Sequence, residues 1–473
     1  MRPNAAVLVI LFLLIHLTIG INVTVAQIST PNFIVIFTDD QGYGDLGCYG
    51  HPTIKTPNID RMAIEGQRWT SFYVAANVCT PSRAALLTGR HAVRNGMYSK
   101  TGRRVLFPDS DGGLPSTEIT IGSQLQRGGY RTACIGKWHL GHLPEYLPTH
   151  RGFDYYYGIP YSNDMDRDSS LDMIKASSEP KVEYFQVPLM QNTRIIERPA
   201  DQTTITKRYT EEALKFISEN KGRPFFIYLA HSMPHVPLFA SNGFHGKSSR
   251  GLYGDVIEEI DWSAGEIMNK LKSEGLDKNT IVIYLSDNGP WALFKEFGGS
   301  AGPLYGAKGT SYEGGVRVPA IFWGPGRIKP AVISDIGSTL DILPTIAKMS
   351  GSTLPDDREY DGYDLSDVLA GKAQSPRSEM IYYHDEKIFA ARKGNYKLYF
   401  YRNNPLGYPE KIEKIDAPEL YNLDHDPSER YNIAASHPDR IKEIQDVVAR
   451  HQSTIEIADT QLDKRLAPTK VQK

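Results

Sequence analysis

The chain has 473 residues, and its 40% hydrophobic and 23% charged residues are ordinary values for a globular protein with a large core. Its 53 Lys and Arg residues nearly balance 55 Asp and Glu residues, for a formal net charge of −2. These values exclude a disordered or fibrous chain and an overall basic field for nucleic acid, so any anion must be bound by local charge.

The N-terminal segment predicts a cleaved secretory signal over residues 1–26. Arg2 precedes an unbroken apolar run at residues 5–14, and the small-residue stretch Thr24-Val25-Ala26 places the cut after Ala26. A membrane anchor is the alternative, but the run is shorter than the ~20 residues that a span needs, and no second span follows. We expect a secreted or periplasmic protein without stable membrane insertion, and the sequon at Asn22 would be lost with the signal.

Four short apolar runs predict the core strands of the next domain, residues 27–373. They lie at residues 33–37, 132–135, 225–229 and 281–285, and continuous apolar strands of this kind are typical of a parallel sheet covered on both faces. Amphipathic helices are predicted at residues 208–220 and 255–271. The alternation predicts an α/β doubly wound fold with helices on both sides of a large, mostly parallel sheet, and ligands beyond the carboxyl ends of its strands.

The pattern changes after residue 373. Short strand-like runs at residues 380–383, 388–392 and 396–401 are followed by an amphipathic helix at residues 438–450. Residues 374–473 are therefore predicted to form a smaller C-terminal α+β subdomain with an antiparallel sheet.

Acidic and amide side chains follow two of the predicted strands. Asp39 and Asp40 close the first strand, and Asp287 and Asn288 close the fourth. Either pair alone is explained as well by a turn or a helix cap. Together they offer several oxygens and no soft ligand, which suits Ca²⁺ or Mg²⁺, and an all-protein oxygen cage favours Ca²⁺.

Cys79 differs from the other two cysteines, Cys48 and Cys134, for which free thiols are expected. Pro81 stands where a helix begins and Gly89 where it ends, so Cys79 is predicted at a helix N-terminus, where backbone N–H groups favour an anion. Arg83 lies one turn into this helix. The sequence alone indicates a thiol nucleophile at Cys79.

The residues around Cys79 resemble the signature of the type I sulfatases. Cys-Thr-Pro-Ser-Arg at residues 79–83 is followed by Leu-Thr-Gly-Arg at residues 87–90. Further matches extend from Asn32 to Glu429, at residues 56–60, 136–141, 286–289, 308–319 and 420–423. The resemblance implies an alkaline-phosphatase-like sulfatase fold and a sulfuric ester hydrolase. It also implies that a maturating, formylglycine-generating enzyme converts Cys79 to Cα-formylglycine, whose hydrate is the nucleophile.

The resemblance assigns a role to each candidate site residue. One Ca²⁺ ion would be bound by five residues, Asp39, Asp40, Asp287, Asn288 and the modified Cys79. The sulfate ester would be bound by Arg83, Lys137, Lys308 and His235, with Ser162 near the sulfate. Asp287 would take the proton of the attacking hydroxyl, His235 with help from Lys308 would protonate the leaving oxygen, and His139 would deprotonate the second hydroxyl. His231 is expected to be structural.

The substrate class is predicted from the export signal and from aromatic residues near the site. Export favours a sulfated carbohydrate or polysaccharide, and aromatic residues at positions 155–157, 291, 294 and 297 could stack on sugar rings or serve the core. Two other functions stay open at this point. One is a phosphomonoester or phosphonate hydrolase on the same fold, and the other is a non-catalytic protein that binds sulfated glycans.

Overall fold

A computed structural model describes residues 30–467. The predicted signal at residues 1–26 and its sequon lie outside this range. Within the range, no helix is long and apolar enough to cross a bilayer. The described cysteines are free thiols, as expected for Cys48 and Cys134.

A ten-stranded sheet forms the centre of the fold, in the order β10-β2-β9-β8-β1-β7-β3-β4-β5-β6. Its strands are β1 Asn32–Thr38, β2 Gln67–Tyr73, β3 Arg131–Gly136, β4 Tyr155–Gly158, β5 Leu189–Gln191, β6 Arg194–Glu197, β7 Phe225–Ala230, β8 Thr280–Ser286, β9 Ala320–Trp323 and β10 Ala331–Ser338. The five central strands from β8 to β4 are parallel, and antiparallel pairs occur at β9 and at the β5–β6 edge. The predicted large, mostly parallel sheet is confirmed.

Helices cover both faces of this sheet. The helices of the described chain are α1 Pro57–Glu65, α2 Cys79–Thr88, α3 Ala92–Asn95, α4 Ile121–Arg127, α5 Met173–Ser178, α6 Ile205–Asn220, α7 Leu252–Ser273, α8 Glu313–Val316, α9 Ile342–Ser350, α10 Ser366–Leu369 and α11 Pro438–Ser453. Along β1 the side chains alternate between two clusters. Ile34 and Ile36 pack in the cluster that contains residues of α6 and α7, whereas Val35 packs in the cluster that contains residues of α2 and α9. Burial on both sides explains why residues 33–37 of this strand are all apolar.

A separate four-stranded antiparallel sheet forms the C-terminal part. Its strands are β11 Glu379–His384, β12 Lys387–Lys393, β13 Tyr396–Arg402 and β14 Glu413–Asn422, in this order, and α11 buries Ile444 and Val447 in the core beneath them. Three strands and the helix were predicted, but β14 was not. The first half of β14 is polar and mostly exposed, and Pro418 interrupts it, so the apolar pattern of a strand is missing there. The boundary after residue 373 stays a prediction.

Buried polar groups join the two sheets. Nζ of Lys397 on β13 lies 2.8 Å from Oε1 of Glu313 on α8 and 3.5 Å from Oε1 of Glu429. The hydroxyl of Tyr73 on β2 donates to Oε2 of Glu313 over 2.6 Å. Burial alone would raise the pKa of Glu313, but the charges of Lys397 and Arg317 lower this pKa to about 2. The C-terminal sheet is thus held to the large sheet by an ion pair as well as by apolar contacts.

Candidate active site

The acidic site residues meet because β1 and β8 are parallel and in register, with Thr38 opposite Ser286. Asp39 and Asp287 therefore leave the sheet side by side. The backbone N–H of Asp40 donates to Oδ1 of Asp287 over 3.1 Å, and Nδ2 of Asn288 donates to Oδ1 of Asp40 over 2.7 Å. Asp39, Asp287 and Asn288 are fully buried and Asp40 is 3% exposed. The structure thus brings together the four predicted oxygen donors.

Asp40 and His139 share an uncommon backbone conformation. Both follow the carboxyl end of a central strand, and both have positive φ, 62° for Asp40 and 59° for His139. This left-handed region is unfavourable for a residue with a Cβ, and such strain is concentrated at functional sites. The turns that present these two side chains are therefore held by the surrounding structure.

Cys79 is the first residue of α2, as its sequence predicts. The helix ends at Gly89, which has φ 64° and donates its N–H to the carbonyl of Ala85. The thiol is 2% exposed, and Sγ lies in a group of possible ligand atoms from Asp39, Asp40 and His235, all within 4.8 Å of one another. Burial raises the pKa of the Cys79 thiol, so the encoded side chain is held as an uncharged thiol, a weak nucleophile.

Arg83 extends from the first turn of α2 to the carboxylates. Its Nη2 lies 2.8 Å from Oδ2 of Asp287 and 3.5 Å from Oδ2 of Asp39, and its Nη1 donates to the carbonyl of Lys137 over 3.2 Å. The whole guanidinium is buried. Its described contacts hold the acidic residues in place.

Two lysines contribute further positive charge. Nζ of Lys137, after β3, forms a buried ion pair with Asp39 and donates to Oγ of Ser162 over 2.9 Å. Nζ of Lys308 lies 2.8 Å from Oδ2 of Asp40. Burial alone would lower the pKa of Lys308, but the charge of Asp40 raises this pKa well above its usual range. Lys308 is therefore charged. Lys137, Ser162 and Lys308 thus lie beside the acidic group.

The tautomer of His139 follows from its hydrogen bond. Its Nε2 lies 2.9 Å from the carbonyl of Leu106, an acceptor, so Nε2 carries the hydrogen. Nδ1 is buried without a hydrogen-bond partner among the described residues. Burial and the charge of Lys137 lower the pKa of His139 well below its usual value, so the ring is neutral with a free lone pair at Nδ1.

His235 rather than His231 lies at the site. Nδ1 of His235 is 2.5 Å from the carbonyl of Val236, and Nε2 is 3.5 Å from Oδ2 of Asp40. Burial and the charge of Lys308 lower the pKa of His235 well below its usual value. His231 instead lies 3.3 Å from Oγ of Ser263, inside the core.

The oxygen donors fit a hard divalent cation. Oδ1 of Asp39 and Oδ1 of Asn288 are buried and have no hydrogen-bond partner in the described part of the chain. Burial raises the pKa of Asp40, and burial with the charge of Asp39 raises the pKa of Asp287 to about 8. A divalent cation would satisfy both free oxygens and lower both pKa values. Sγ of Cys79 is the exception, because sulfur is a soft donor.

The structure distinguishes the aromatic residues that lie near the site from those that pack in the core. The tyrosines at positions 155–157 form β4, where Tyr156 is fully buried and the hydroxyl of Tyr157 accepts from Arg208, so their contacts are with the core and α6. The ring centre of Trp291, in contrast, lies 4.1 Å from Nζ of Lys308. Arg104 and Tyr408 lie close to Gly309, next to Lys308 in the chain, and were not among the predicted residues because they belong to loops without a periodic pattern.

Comparisons with known proteins assign the chain to a family. The family model described as Sulfatase matches residues 31–352, and the model described as C-terminal region of aryl-sulfatase matches residues 375–472. Human arylsulfatase A is 41% identical over 426 residues, which cover 85% of this chain and 83% of that protein.

Two further relatives extend the comparison. The N-acetylgalactosamine-6-sulfatase of the dog is 36% identical over 466 residues, which cover 92% of this chain and 88% of that protein. The crystal structure of the PsFucS1 sulfatase from Pseudoalteromonas sp. superposes with a TM-score of 0.81 at 29% identity, and covers 92% of this chain and 93% of that one. The chain belongs to the sulfatase family, and it is an enzyme that hydrolyses sulfate esters.

Proposed function

We propose that the chain hydrolyses sulfate monoesters through a Cα-formylglycine made from Cys79, beside one bound Ca²⁺. The observation that carries this proposal is the position of Cys79. Its side chain begins a buried helix and lies among the ligand atoms of Asp39, Asp40 and His235. A soft sulfur atom is out of place among hard oxygen donors, and conversion to the hydrated aldehyde puts oxygen there instead.

The two added groups supply chemistry that the encoded residues lack. The hydrated aldehyde supplies two hydroxyls on one carbon, one to attack sulfur and one whose deprotonation releases sulfate. Asp39, Asp40, Asp287 and Asn288 would hold the Ca²⁺ ion, which would supply positive charge that makes an oxygen nucleophile competent. A formylglycine-generating, sulfatase-maturating enzyme is therefore a required partner.

Lys137 and Lys308 are proposed to bind the non-bridging sulfate oxygens. Both ammonium groups lie at the carboxylates beside Cys79, and Ser162 fixes Lys137 through its 2.9 Å hydrogen bond. Positive groups held before the substrate arrives stabilise charge that develops on the sulfate without reorganisation. Arg83 contributes to this field, and through its 2.8 Å contact it keeps Asp287 in place.

Proton transfers are assigned to three groups. Asp287 is proposed to accept the proton of the attacking hydroxyl, because a bound cation would lower its pKa and keep its carboxylate ionised. His139 is proposed to deprotonate the second hydroxyl, because its Nδ1 has a free lone pair. His235 is neutral beside Lys308, so its role as the acid for the leaving oxygen requires the anionic substrate to raise its pKa, and Lys308 is a charged donor that can assist.

A sulfated carbohydrate is the proposed substrate class. One relative is named for a sulfated amino sugar, N-acetylgalactosamine 6-sulfate, and the predicted export signal favours an external substrate. Arylsulfatase A is named for aryl sulfates, which makes 4-nitrophenyl sulfate a suitable first probe.

Replacing Cys79 tests the nucleophile. We expect the wild type, produced with a maturating enzyme, to cleave 4-nitrophenyl sulfate faster than 4-nitrophenyl phosphate, and Cys79→Ala to release no sulfate while it unfolds at the temperature of the wild type. Cys48→Ala, at the half-buried free thiol, is the matched control and should keep full turnover. Sulfate release by Cys79→Ala would show that another residue is the nucleophile. Faster cleavage of the phosphate ester by the wild type would favour a phosphatase. Binding of a sulfated glycan without any cleavage would favour the non-catalytic alternative.

Calcium titration tests the metal site. After chelation, the protein should bind one Ca²⁺ per chain by calorimetry, more tightly than Mg²⁺, and Ca²⁺ at 100 times its Kd should stabilise the fold by about 2.7 kcal/mol. Asp40→Asn should weaken binding at least roughly 10-fold because it removes a charged oxygen ligand. Asp439→Asn, whose side chain is 74% exposed, should bind as the wild type does. Equal affinity in Asp40→Asn and the wild type would contradict the assignment.

His139→Gln tests the release step. This variant removes the free Nδ1 lone pair, so leaving alcohol should appear as a burst of one equivalent per enzyme, followed by turnover slowed by about 10²–10⁴-fold. The exposed His425→Gln is the control and should show neither effect. Slowed turnover without a burst of leaving alcohol would assign His139 to a step before the alcohol departs.

A further inference from the structure

Arg104 links the nucleophile segment to the Lys308 loop. Its guanidinium hydrogen-bonds Oδ1 of Asn77, two residues before Cys79, and its Nη1 lies 3.4 Å from the carbonyl of Gly309. The backbone N–H of Gly309 in turn donates to the carbonyl of Asn77 over 2.8 Å. Arg104 is only 7% exposed. A long cationic side chain is thus buried between the chain segments that contain Cys79 and Lys308.

Two aromatic rings line the same region. The ring centre of Trp291 lies 5.3 Å from that of His235 and 5.7 Å from that of Tyr408. Tyr408 belongs to the loop between β13 and β14, and Nδ2 of Asn403 at the start of this loop donates to the carbonyl of Gly309 over 3.1 Å. The C-terminal subdomain therefore contributes an aromatic ring next to the site.

Three buried donors in this region have no hydrogen-bond partner among the described residues. They are Nδ2 of Asn77, Nε of Arg104 and Nε1 of Trp291. An unsatisfied buried donor is costly, and all three belong to one small region, so they indicate a ligand that presents acceptor oxygens. Hydroxyl groups, ring oxygens and anionic groups all meet this requirement.

The charge of the region discriminates among these ligands. Oε1 of Glu410 lies 2.7 Å from Nη1 of Arg104, and Oδ1 of Asp385 lies 3.9 Å from its Nε. Glu410 and, at longer range, Asp385 balance the charge of Arg104, so this guanidinium attracts no second anion. Hydroxyl groups can both accept from the free donors and donate to the carboxylates, and aromatic rings pack against the apolar faces of sugars.

We propose that this region is the subsite for the sugar ring that carries the scissile sulfate, and that it selects an uncharged pyranose without a second sulfate or a carboxylate. The donors and aromatic faces come from Asn77, Arg104, Trp291 and Tyr408. Glu410 and Asp385 exclude anionic rings by repulsion. The inference rests on the proposed function, because the ring must be joined to the sulfate that the site cleaves.

The test compares ratios of kcat/KM within one preparation of matured enzyme. The aryl probe is 4-nitrophenyl sulfate, and the uncharged sugar probes are a panel of galactose and N-acetylgalactosamine monosulfates. The charged probes are galactose 4,6-disulfate and 2-sulfated glucuronate, whose rings carry a second charge. In the wild type, kcat/KM for the best uncharged sugar sulfate should be at least roughly 10-fold higher than kcat/KM for either charged probe. Tyr408→Leu and Arg104→Gln should each lower the ratio of sugar sulfate to aryl sulfate by roughly 10- to 100-fold.

Glu410→Gln is the sharper variant because it changes charge without removing bulk. It should raise turnover of the charged probes relative to the uncharged sugar by roughly 10-fold, since it frees the charge of Arg104. Glu413→Gln, at an exposed position on the neighbouring β14, should change no ratio. If the Tyr408, Arg104 and Glu410 variants cleave 4-nitrophenyl sulfate and their ratios of kcat/KM equal those of the wild type, the proposed subsite alone is wrong. No sulfate release from any probe by the wild type overturns the proposed function and the subsite together.

Discussion

The site depends on the pairing of buried carboxylates with buried cations at the ends of parallel strands. The carboxylates are Asp39, Asp40 and Asp287, and the cations are Arg83, Lys137 and Lys308. Removing an ion from water costs several kcal/mol unless a partner compensates, so each group is stable there only with the others in place. The register of β1 against β8 sets the spacing of the carboxylates, and α2 brings Arg83 to them.

This balance has a chemical consequence. Once a bound cation lowers the pKa values of Asp40 and Asp287, three carboxylates face three cationic side chains, so the site can accept both the cation and an anionic sulfate ester, whose charges have opposite signs. Because the cations are fixed by ion pairs before the substrate binds, they need little rearrangement during the reaction. Cys79, at the start of α2, lies inside this group, which is why its chemical state matters more than that of Cys48 or Cys134.

Much of this arrangement could be predicted from the sequence because the signals are local. The apolar runs that became β1 and β8 end directly at Asp39 and Asp287, and parallel strands present their carboxyl ends at one edge. Pro81 and Gly89 marked the helix that starts at Cys79. The roles of Lys137, His139 and Lys308 came from the family resemblance, since a lone lysine or histidine carries no local signal.

Other features could not be read from the sequence because they depend on long-range contacts. Strand β14 is half polar and gave no alternating pattern. Arg104 and Tyr408 are 304 residues apart in the chain and lie in loops, yet both lie beside Lys308 and Gly309. The tautomer of His139 depends on the carbonyl of Leu106, 33 residues away. Such contacts exist only once the two sheets have packed together.

The most direct test of the account is the mass of the peptide that contains Cys79, taken from protein produced with a maturating enzyme and active on 4-nitrophenyl sulfate. We expect an aldehyde in place of the thiol in the active fraction, with Cys48 and Cys134 unchanged in their peptides. A fully unmodified Cys79 in protein that releases sulfate would contradict it, because a buried, uncharged thiol would then have to be the nucleophile.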